Sequence, residues 1–507
     1  DLNNTFLTGS AGPALNIGDT FDILTYTGAL SGQFTGVAPG GTVQLIADGG
    51  TVFIAGQKFT LNYVTASKLV RLTRQVTNVV FISQAVQSVA APFGSTSAYG
   101  VDIAFTVTFQ SEAGTLNSGV VDFTFNGHTV TKTITNNKAV ALLSDFLLDF
   151  PLDASASAYT MDWAFNGGNG FTPIDANNPG AVGTAGSLGN TGNPAHMTFN
   201  VTVATPTVNV TGPSTALYGE TKKFTATVVP PGSGTPTGSV LFVFHSTGNP
   251  DISFNGVGQG GGVWTVDIGL ASGNVLTPRT YTVEAQYTSD HTTTRFVSQN
   301  GSKAGTFVVS QANASFTSFT AAPSSPQNYG TQVTFSVQVD PGTGSVGDIL
   351  GQKVIFNDNG VPLNGTGTAL VSDGFGHAVA SYQTGATQLS ANFGASHVIT
   401  ATLAPNGNYA GSNATLSGGY TVNQITPAVF TLSLSEPSIS QGRNEIATAT
   451  ITNPVGAPTG TVTFYIDAVG AGNSLGTGTY DSLTQTWTRS FSTAGLSGAH
   501  TVFAVYG

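Results

Sequence analysis

The chain of 507 residues carries 14 basic and 25 acidic side chains, a formal net charge of −11, and charged residues make up only 8% of it. Basic residues this sparse exclude a nucleic-acid-binding surface and disfavour adsorption to an anionic membrane, since both need clustered Lys and Arg. Hydrophobic content of 40% is typical of folded protein, and 65 glycines beside abundant Thr and Val favour turns and strands over helices. The composition predicts an all-β protein with several domains.

The first 75 residues form a segment with its own pattern. Short alternating stretches occupy residues 18–24, 30–37 and 56–63. Period-two alternation of apolar residues indicates strands. We predict a small β module over residues 1–75, which we call the N-terminal module.

Four later segments share a start signal, a glycine that follows Tyr in three of them. Gly100, Gly219, Gly330 and Gly442 recur every 111 to 119 residues, which is the size of one β-sandwich domain. Apolar residues stand five, seven and nine positions after each glycine, and mostly Thr, Ser or Gln lies between them. This pattern specifies a strand with one buried and one solvated face. The apolar positions are Phe105, Val107, Phe109; Phe224, Ala226, Val228; Phe335, Val337, Val339; and Ala447, Ala449, Ile451.

Further alternating strands follow in each segment. A second strand carries Val121, Phe123, Phe125; Val240, Phe242, Phe244; Val354, Phe356; and Val462, Phe464, Ile466. The third of these falls one residue out of step after Gly351, which predicts a bulge or a longer turn. A later strand carries Met161, Trp163, Phe165; Val283, Ala285, Tyr287; Ile399, Ala401, Leu403; and Val502, Ala504, Tyr506. A last strand follows in the first three segments, at Phe199 and Val201, at Phe307 and Val309, and at Tyr420 and Val422.

Several short strands per repeat predict tandem immunoglobulin-like β-sandwiches arranged as a rod. We call the segments domain 1 (76–205), domain 2 (206–311), domain 3 (312–424) and domain 4 (425–507). Domain 4 has no closing strand in its sequence, and the linkers between domains are short and contain Pro, which favours stiffness. No convincing amphipathic helix is found.

Residues 85–507 resemble the immunoglobulin-like repeats of large bacterial surface proteins and adhesins. The resemblance rests on the Tyr-Gly starts, the Pro-Thr-Gly turns at 236–238 and 458–460, and the stretch 406–412. The N-terminal module resembles the terminal module of autotransporter-type β-solenoid passengers, in the stretches 18–24, 31–34 and 59–63. Both resemblances imply structural or adhesive work at the bacterial cell surface rather than catalysis. The second implies a longer β-solenoid upstream in a precursor.

Residues that could carry chemistry are sparse. The seven histidines do not stand at metal-ligand spacings, and the chain has no cysteine, so we expect neither an enzyme nor a bound cofactor. Asp145, Asp149 and Asp153 form an acidic cluster and are weak candidates for a calcium site. Residues 357–360, Asn-Asp-Asn-Gly, are similar to the start of a calcium loop, but a type I′ hairpin turn is favoured.

Two tryptophans are candidates for ligand contact. Trp264 and Trp487 lie outside the inward positions that make Trp163 a core residue, so each could stack on a sugar ring. The alternative is cross-strand packing, which we favour.

The sequence as a whole predicts a non-catalytic, extracellular structural protein that forms a stalk, fibre or filament. Its expected partners are other copies of itself or an adjacent surface protein. The unpaired edge predicted in domain 4 is explained either by a fragment chain or by strand donation from another chain. Two alternatives stay open: an adhesin whose loops bind glycan or a protein of a host or neighbouring cell, and an accessory region of a larger secreted enzyme. No apolar run reaches the ~18 residues of a membrane-spanning helix, so no membrane insertion is expected.

Overall fold

The structure is a computed structural model. It describes residues 1–2, 5–9, 18–55, 57–75, 79–89, 94–112, 114–146, 148, 150–165, 195–391, 395–425, 429–452 and 455–507. The chain forms two compact units, and the boundary between them passes through domain 2. The first unit comprises Asp1–Gly212, Lys223–Val266 and Thr282–Thr306, and the second comprises Pro213–Lys222, Asp267–Tyr281 and Phe307–Gly507.

The N-terminal module is one antiparallel sheet with strand order β1-β6-β5-β4-β2-β3. Its strands are β1 (Thr20–Thr25), β2 (Thr35–Val37), β3 (Val43–Leu45), β4 (Gly50–Ile54), β5 (Gln57–Val64) and β6 (Leu69–Arg74). One face is apolar, because alternate residues of β5 and β6 point to the same side, and it buries Val52, Leu61 and Val70 completely. The resemblance to a solenoid end is not tested by this sheet.

Domain 1 is a two-sheet sandwich. Its strands are β7 (Val79–Ser88), β8 (Thr96–Ala98), β9 (Ile103–Ser111), β10 (Val120–Phe125), β11 (His128–Thr133), β12 (Lys138–Leu142), β13 (Tyr159–Phe165) and β14 (Ala195–Thr202). One sheet has the order β11-β10-β13-β14-β8 and the other β12-β9-β7. Aromatic rings from the two sheets pack together in the core between the sheets. The ring centroids of Phe105 on β9 and Phe199 on β14 are 5.1 Å apart.

Domain 2 repeats this plan. Its strands are β15 (Thr207–Thr211), β16 (Thr215–Leu217), β17 (Lys222–Val229), β18 (Gly238–His245), β19 (Ile252–Asn255), β20 (Val257–Gly260), β21 (Val263–Ile268), β22 (Arg279–Ser289), β23 (Gln299–Ser302) and β24 (Phe307–Ser310). The sheets are β15-β17-β21-β20 and β16-β24-β22-β18-β19, with β23 also paired to β22.

Domain 3 contains the one α-helical turn among the described residues, α1 (Val346–Ile349). This turn ends before Gly351 and precedes the strand Lys353–Asp358. A longer turn therefore explains why Val354 and Phe356 fall one residue out of step with the other repeats. The strands are β25 (Ala312–Asn313), β26 (Ser315–Ala322), β27 (Gln327–Asn328), β28 (Thr334–Asp340), β29 (Lys353–Asp358), β30 (Val361–Pro362), β31 (Thr368–Ala369), β32 (Val371–Ser372), β33 (Ala378–Gln383), β34 (Ile399–Leu403), β35 (Tyr409–Ala410), β36 (Ser412–Thr415) and β37 (Val422–Asn423). The main sheets are β26-β28-β33-β32 and β30-β29-β34-β36.

Domain 4 has two sheets of unequal size, β38-β39-β43-β42 and β41-β40-β44. Its strands are β38 (Val429–Leu434), β39 (Asn444–Thr452), β40 (Val462–Ile466), β41 (Ser474–Thr477), β42 (Thr479–Asp481), β43 (Thr486–Ser492) and β44 (Val502–Tyr506). The core is small: Ala447, Ala449, Ile451, Val462, Phe464 and Trp487 are its buried residues. Trp487 is its largest side chain and is 1% exposed.

The predicted fold class is confirmed: the chain is a tandem array of β-sandwiches behind a small β module. Each sheet is built from strands of a single predicted segment. The twelve apolar positions after the repeated glycines are all buried, at 2% exposure or less. The alternation therefore places one face of each strand in a local core.

We predict that Trp487→Ala destabilises domain 4 by about 3 to 5 kcal/mol, because a buried Trp leaves both lost transfer energy and a cavity. Hydrogen exchange of peptides from β39 would measure the loss in the full chain. Leu483→Ala is the control, since Leu483 is 94% exposed and close by in sequence. Equal protection of β39 in both variants would contradict the assignment of Trp487 to the core.

Candidate functional site

The edge of β44 in domain 4 is the candidate association site. In domains 1, 2 and 3 the equivalent strands β13, β22 and β34 each lie between two partners in their sheet. Among the described residues β44 pairs with β40 alone. A further strand beside β44 would complete this sheet as β14, β24 and β36 complete the sheets of domains 1, 2 and 3.

The side chains of β44 show the same incompleteness. Val502, Ala504 and Tyr506 are only partly buried, whereas their counterparts Val283, Ala285 and Tyr287 are at most 1% exposed. Phe503 and Val505, on the other face, are 37% and 40% exposed. The apolar surface that a further strand would cover is thus open on β44.

A groove of about 500 Å³ lies beside the end of β44. Its lining carries no charged side chain: Tyr329, Thr387, Ser390, Ala391, Gln424, Ile425, Ala457, Pro458, Thr459, Gly460, Tyr506 and Gly507. The hydroxyl of Tyr506 accepts a hydrogen bond from the Gly460 N–H at 2.8 Å, which fixes the ring at the groove wall. A neutral, half-apolar groove suits an apolar side chain rather than an ion.

Sequence reasoning predicted the unpaired edge but missed this groove. Tyr329 belongs to a repeated Tyr-Gly start, and Ile425 belongs to a linker between domains. Neither feature indicates by itself that the two residues line one surface with Tyr506, because Tyr329 belongs to domain 3 and Ile425 stands 81 positions before Tyr506. The repetition of Tyr before Gly is the sequence feature that could have indicated a shared contact surface.

Both candidate sugar-stacking tryptophans are buried. Trp264 is 6% exposed and packs against Tyr287, with 5.6 Å between ring centroids. Trp487 is 1% exposed and lies between Tyr480 and Tyr506, at 4.4 and 5.6 Å. This placement corrects the stacking expectation, because neither indole has a face for a sugar ring, and it agrees with the cross-strand packing that was favoured.

The acidic residues of the weak calcium candidate have different partners. Asp145 contacts the Lys132 ammonium at 2.8 Å and accepts the backbone N–H of Leu142. Asp153 forms an ion pair with Arg295 at 2.9 Å, and Asp149 lies outside the described residues. Within the part of the chain that the structure describes, no three His, Asp or Glu side chains come together as a metal site. Calcium binding stays a prediction.

The Asn357–Gly360 stretch forms the predicted hairpin turn. Asn359 and Gly360 both have positive φ, at 47° and 87°, as a type I′ turn requires, and Asp358 pairs with Val361 across it. The Asp358 carboxylate accepts hydrogen bonds from His397 Nδ1 at 2.8 Å and from the Asn359 amide at 2.9 Å. Its oxygens are thus used inside domain 3.

The histidines are distributed rather than clustered. Six contact an acidic partner each, in the pairs His196–Asp162, His245–Asp251, His291–Asp290, His377–Asp373, His397–Asp358 and His500–Asp467. The hydrogen bond from His500 lowers the pKa of Asp467 below its usual value. Five of these histidines are at least partly exposed, His397 is buried, and the six pairs lie at separate positions in the described part of the chain. In addition, none of the helices in the described ranges is long and apolar enough to cross a membrane.

Comparisons with known proteins show weak structural likeness. No protein-family model and no curated protein matches the chain. A tetra-tandem repeat from the extending region of a large adhesion protein covers 85% of this chain and 95% of its own, with 14% identity and a TM-score of 0.28. Native E. coli alpha-2-macroglobulin covers 94% of this chain and 34% of its own, with 11% identity and a TM-score of 0.16. Domains FN1 to FN3 of chicken CNTN1 cover 66% and 98%, with 9% identity and a TM-score of 0.17. TM-scores this low do not assign a function to the chain.

We predict that Gly360→Ala destabilises domain 3 by about 1 to 2 kcal/mol, because a Cβ disfavours the left-handed backbone that the hairpin needs. Gly407→Ala is the matched control in the same domain, since Gly407 lies in open space without a left-handed φ. Hydrogen exchange of β29 would measure both effects. Equal protection in the two variants would be inconsistent with a type I′ turn at Asn359–Gly360.

Proposed function

We propose that this protein is a non-catalytic, extracellular structural protein of the bacterial surface. Its tandem β-sandwiches form a stalk, fibre or filament, and strand donation at β44 is one mode by which copies would associate. The observation that carries the proposal is that every described sheet closes within one predicted segment, so that one sandwich follows another along the chain. The resemblance of the N-terminal module to a passenger cap adds the proposal of a β-solenoid preceding it.

The solvated faces of the strands favour association. Thr and Ser occupy about half of the outward positions of β17, β28 and β39, and the charged residues there are Lys222, Lys223 and Asp340, so packing two such surfaces removes few charges from water. With charged residues at 8% of the chain, repulsion between copies is also weak. The surface is therefore suited to end-to-end or lateral contact.

Strand donation is the specific mode of association that we propose. In domain 2, β23 pairs with the Glu284–Tyr287 part of β22, and β24 pairs with Arg279–Tyr281. The inward residues Phe307 and Val309 of β24 are 0% and 5% exposed. By the same register, a donated strand equivalent to β23 would pair with residues 503–506 of β44, and one equivalent to β24 would place its apolar residues beside residues 498–500.

A peptide with the sequence of residues 294–311 tests strand donation on the full chain. It contains β23 and β24 of domain 2, and we expect it to increase hydrogen-exchange protection of β44 and to reduce self-association seen by sedimentation. A control peptide with Phe296, Phe307 and Val309 replaced by Ser should do neither. Binding by both peptides, or by neither, would contradict strand donation.

Electron microscopy of the purified chain tests the fibre proposal separately. We expect filaments whose length falls when the 294–311 peptide is added. Isolated particles at every concentration, together with peptide binding to β44, would retain the open edge but overturn the fibre.

A further inference from the structure

The repeated Tyr-Gly motif makes contact with the following domain. Gly219 has a φ of 83°, and a Cβ built on it would lie 2.2 Å from the carbonyl oxygen of Thr343 in domain 3. The Thr343 hydroxyl donates a hydrogen bond to the Tyr218 carbonyl oxygen at 2.6 Å. The Tyr218 ring is 5% exposed and meets Tyr409 of domain 3 edge-on at 5.8 Å.

The preceding motif, at Tyr99-Gly100, has the same geometry toward domain 2. Gly100 has a φ of 82°, and a Cβ on it would lie 1.8 Å from the carbonyl oxygen of Ser233. The Ser233 N–H donates to the Gly100 carbonyl oxygen at 2.6 Å. The Tyr99 ring is 4% exposed and meets Phe296 edge-on at 5.1 Å. Two junctions separated by a whole domain thus use equivalent residues.

The linker residues form backbone pairs with the same aromatic residues that contact the tyrosines of the motifs. Ala204 forms a parallel bridge with Phe296, and its N–H donates to the Arg295 carbonyl oxygen at 2.7 Å. Ala312 pairs in parallel with Tyr409, and its N–H donates to the Asn408 carbonyl oxygen at 2.8 Å. The linker therefore enters the next domain beside the aromatic residue that covers the Tyr of the motif.

An ion pair adds to the first junction. Asp153 of domain 1 contacts Arg295 of domain 2 at 2.9 Å, and the Arg295 guanidinium lies 5.9 Å from the centre of the Tyr99 ring. The Ala154 N–H donates to the Thr294 carbonyl oxygen at 2.7 Å. Several bonds from different parts of domain 1 therefore converge on residues 294–296.

The third motif, Tyr329-Gly330, contacts domain 4 in part. A Cβ on Gly330 would lie 2.4 Å from Val455, and one on Gly456 would lie 2.8 Å from the Tyr329 hydroxyl. Tyr329 also lines the neutral groove described above.

Gly442 has the backbone conformation of the other three glycines without their close contacts. Its φ of 89° matches that of the other three glycines, yet a Cβ on it would meet nothing within 4 Å. The residue before it is an exposed glutamine, Gln441, instead of Tyr. The positive φ is thus common to all four glycines, whereas residues of the following domain crowd the Cβ position at Gly100, Gly219 and Gly330.

We propose that each Tyr-Gly motif is a docking surface for the next immunoglobulin-like domain in the chain, which it holds in one fixed orientation. The partner is defined by two features: a tight loop with Gly at its contact point, and an aromatic residue on the strand that pairs with the linker. This inference does not depend on strand donation or on the fibre.

The substitution Gly219→Val tests the docking surface between domains 2 and 3. The chain has no cysteine, so Thr280→Cys in domain 2 and Val361→Cys in domain 3, both at exposed positions of the second compact unit, introduce a unique pair of spin labels. We expect one narrow distance distribution in the parent and a distribution at least twofold broader in Gly219→Val, because a larger side chain cannot fit against Thr343.

Gly442→Val is the matched control for backbone strain, since Gly442 has a similar φ without a contact, and we expect its distribution to stay narrow. Thr343→Val, which keeps the side-chain shape and removes the hydroxyl, should broaden the distribution less than Gly219→Val does. Hydrogen exchange of β22 and β28 verifies that the flanking domains remain folded. A broad distribution in the parent, or equal widths in Gly219→Val and Gly442→Val, would overturn the proposal.

Alkaline pH offers a second test of the same junction. Burial raises the pKa of Tyr409 to about 12, and the nearby Asp348 carboxylate adds to the effect. Burial also raises the pKa of Tyr218, whose hydroxyl faces Asp348. The neutral tyrosines therefore stabilise the closed junction below pH ~10, the value for an exposed tyrosine, and this contribution is lost as the pH rises toward 12.

We predict that the distance distribution broadens between pH 10 and 12, and that the double variant Tyr218→Phe, Tyr409→Phe resists this change because neither ring can ionise. Label distances recorded across this range, with circular dichroism to detect unfolding, measure the effect. Broadening of the double variant at the same pH as the parent would contradict a role for the two hydroxyls.

Discussion

Each domain has to close a small two-layer core from its own strands, and most of the structure follows from that constraint. Domain 4 has only six buried residues in its core cluster. With so few apolar contacts, an unpaired strand exposes an appreciable fraction of the stabilising surface. A strand that covered the partly exposed residues of β44 would therefore lower the free energy of the folded domain.

The junctions between domains obey a different constraint, which is close approach of backbone to backbone. Gly100 and Gly219 meet carbonyl oxygens of the next domain at distances that leave no room for a Cβ. A tyrosine beside each glycine supplies the buried area that the glycine lacks. A glycine, an aromatic pair and a linker strand make equivalent contacts at two successive junctions. The repeated sequence therefore contains the residues that contact the next domain, as expected for an array in which each unit contacts its neighbours.

The acidic side chains are distributed along the chain. Acidic side chains are used singly, in pairs with one Lys, Arg or His or in hydrogen bonds to turns, as in Asp145, Asp358 and Asp467. The buried aromatics face one another inside the sandwiches. The charges thus stabilise loops and junctions, while the apolar residues supply the cores.

The sequence by itself determined the strands, the repeat and the inward residues, because period-two alternation is a local signal that needs only a few neighbouring positions. It also predicted the Asn359–Gly360 hairpin, whose two-residue turn is set by local backbone preference. Only the tertiary structure decided that Trp264 and Trp487 are buried, since their covering rings come from other strands. It alone brought Tyr99 to Phe296 and Tyr218 to Tyr409, pairs almost 200 positions apart. Contacts at that separation depend on how whole domains meet, and no local pattern records them.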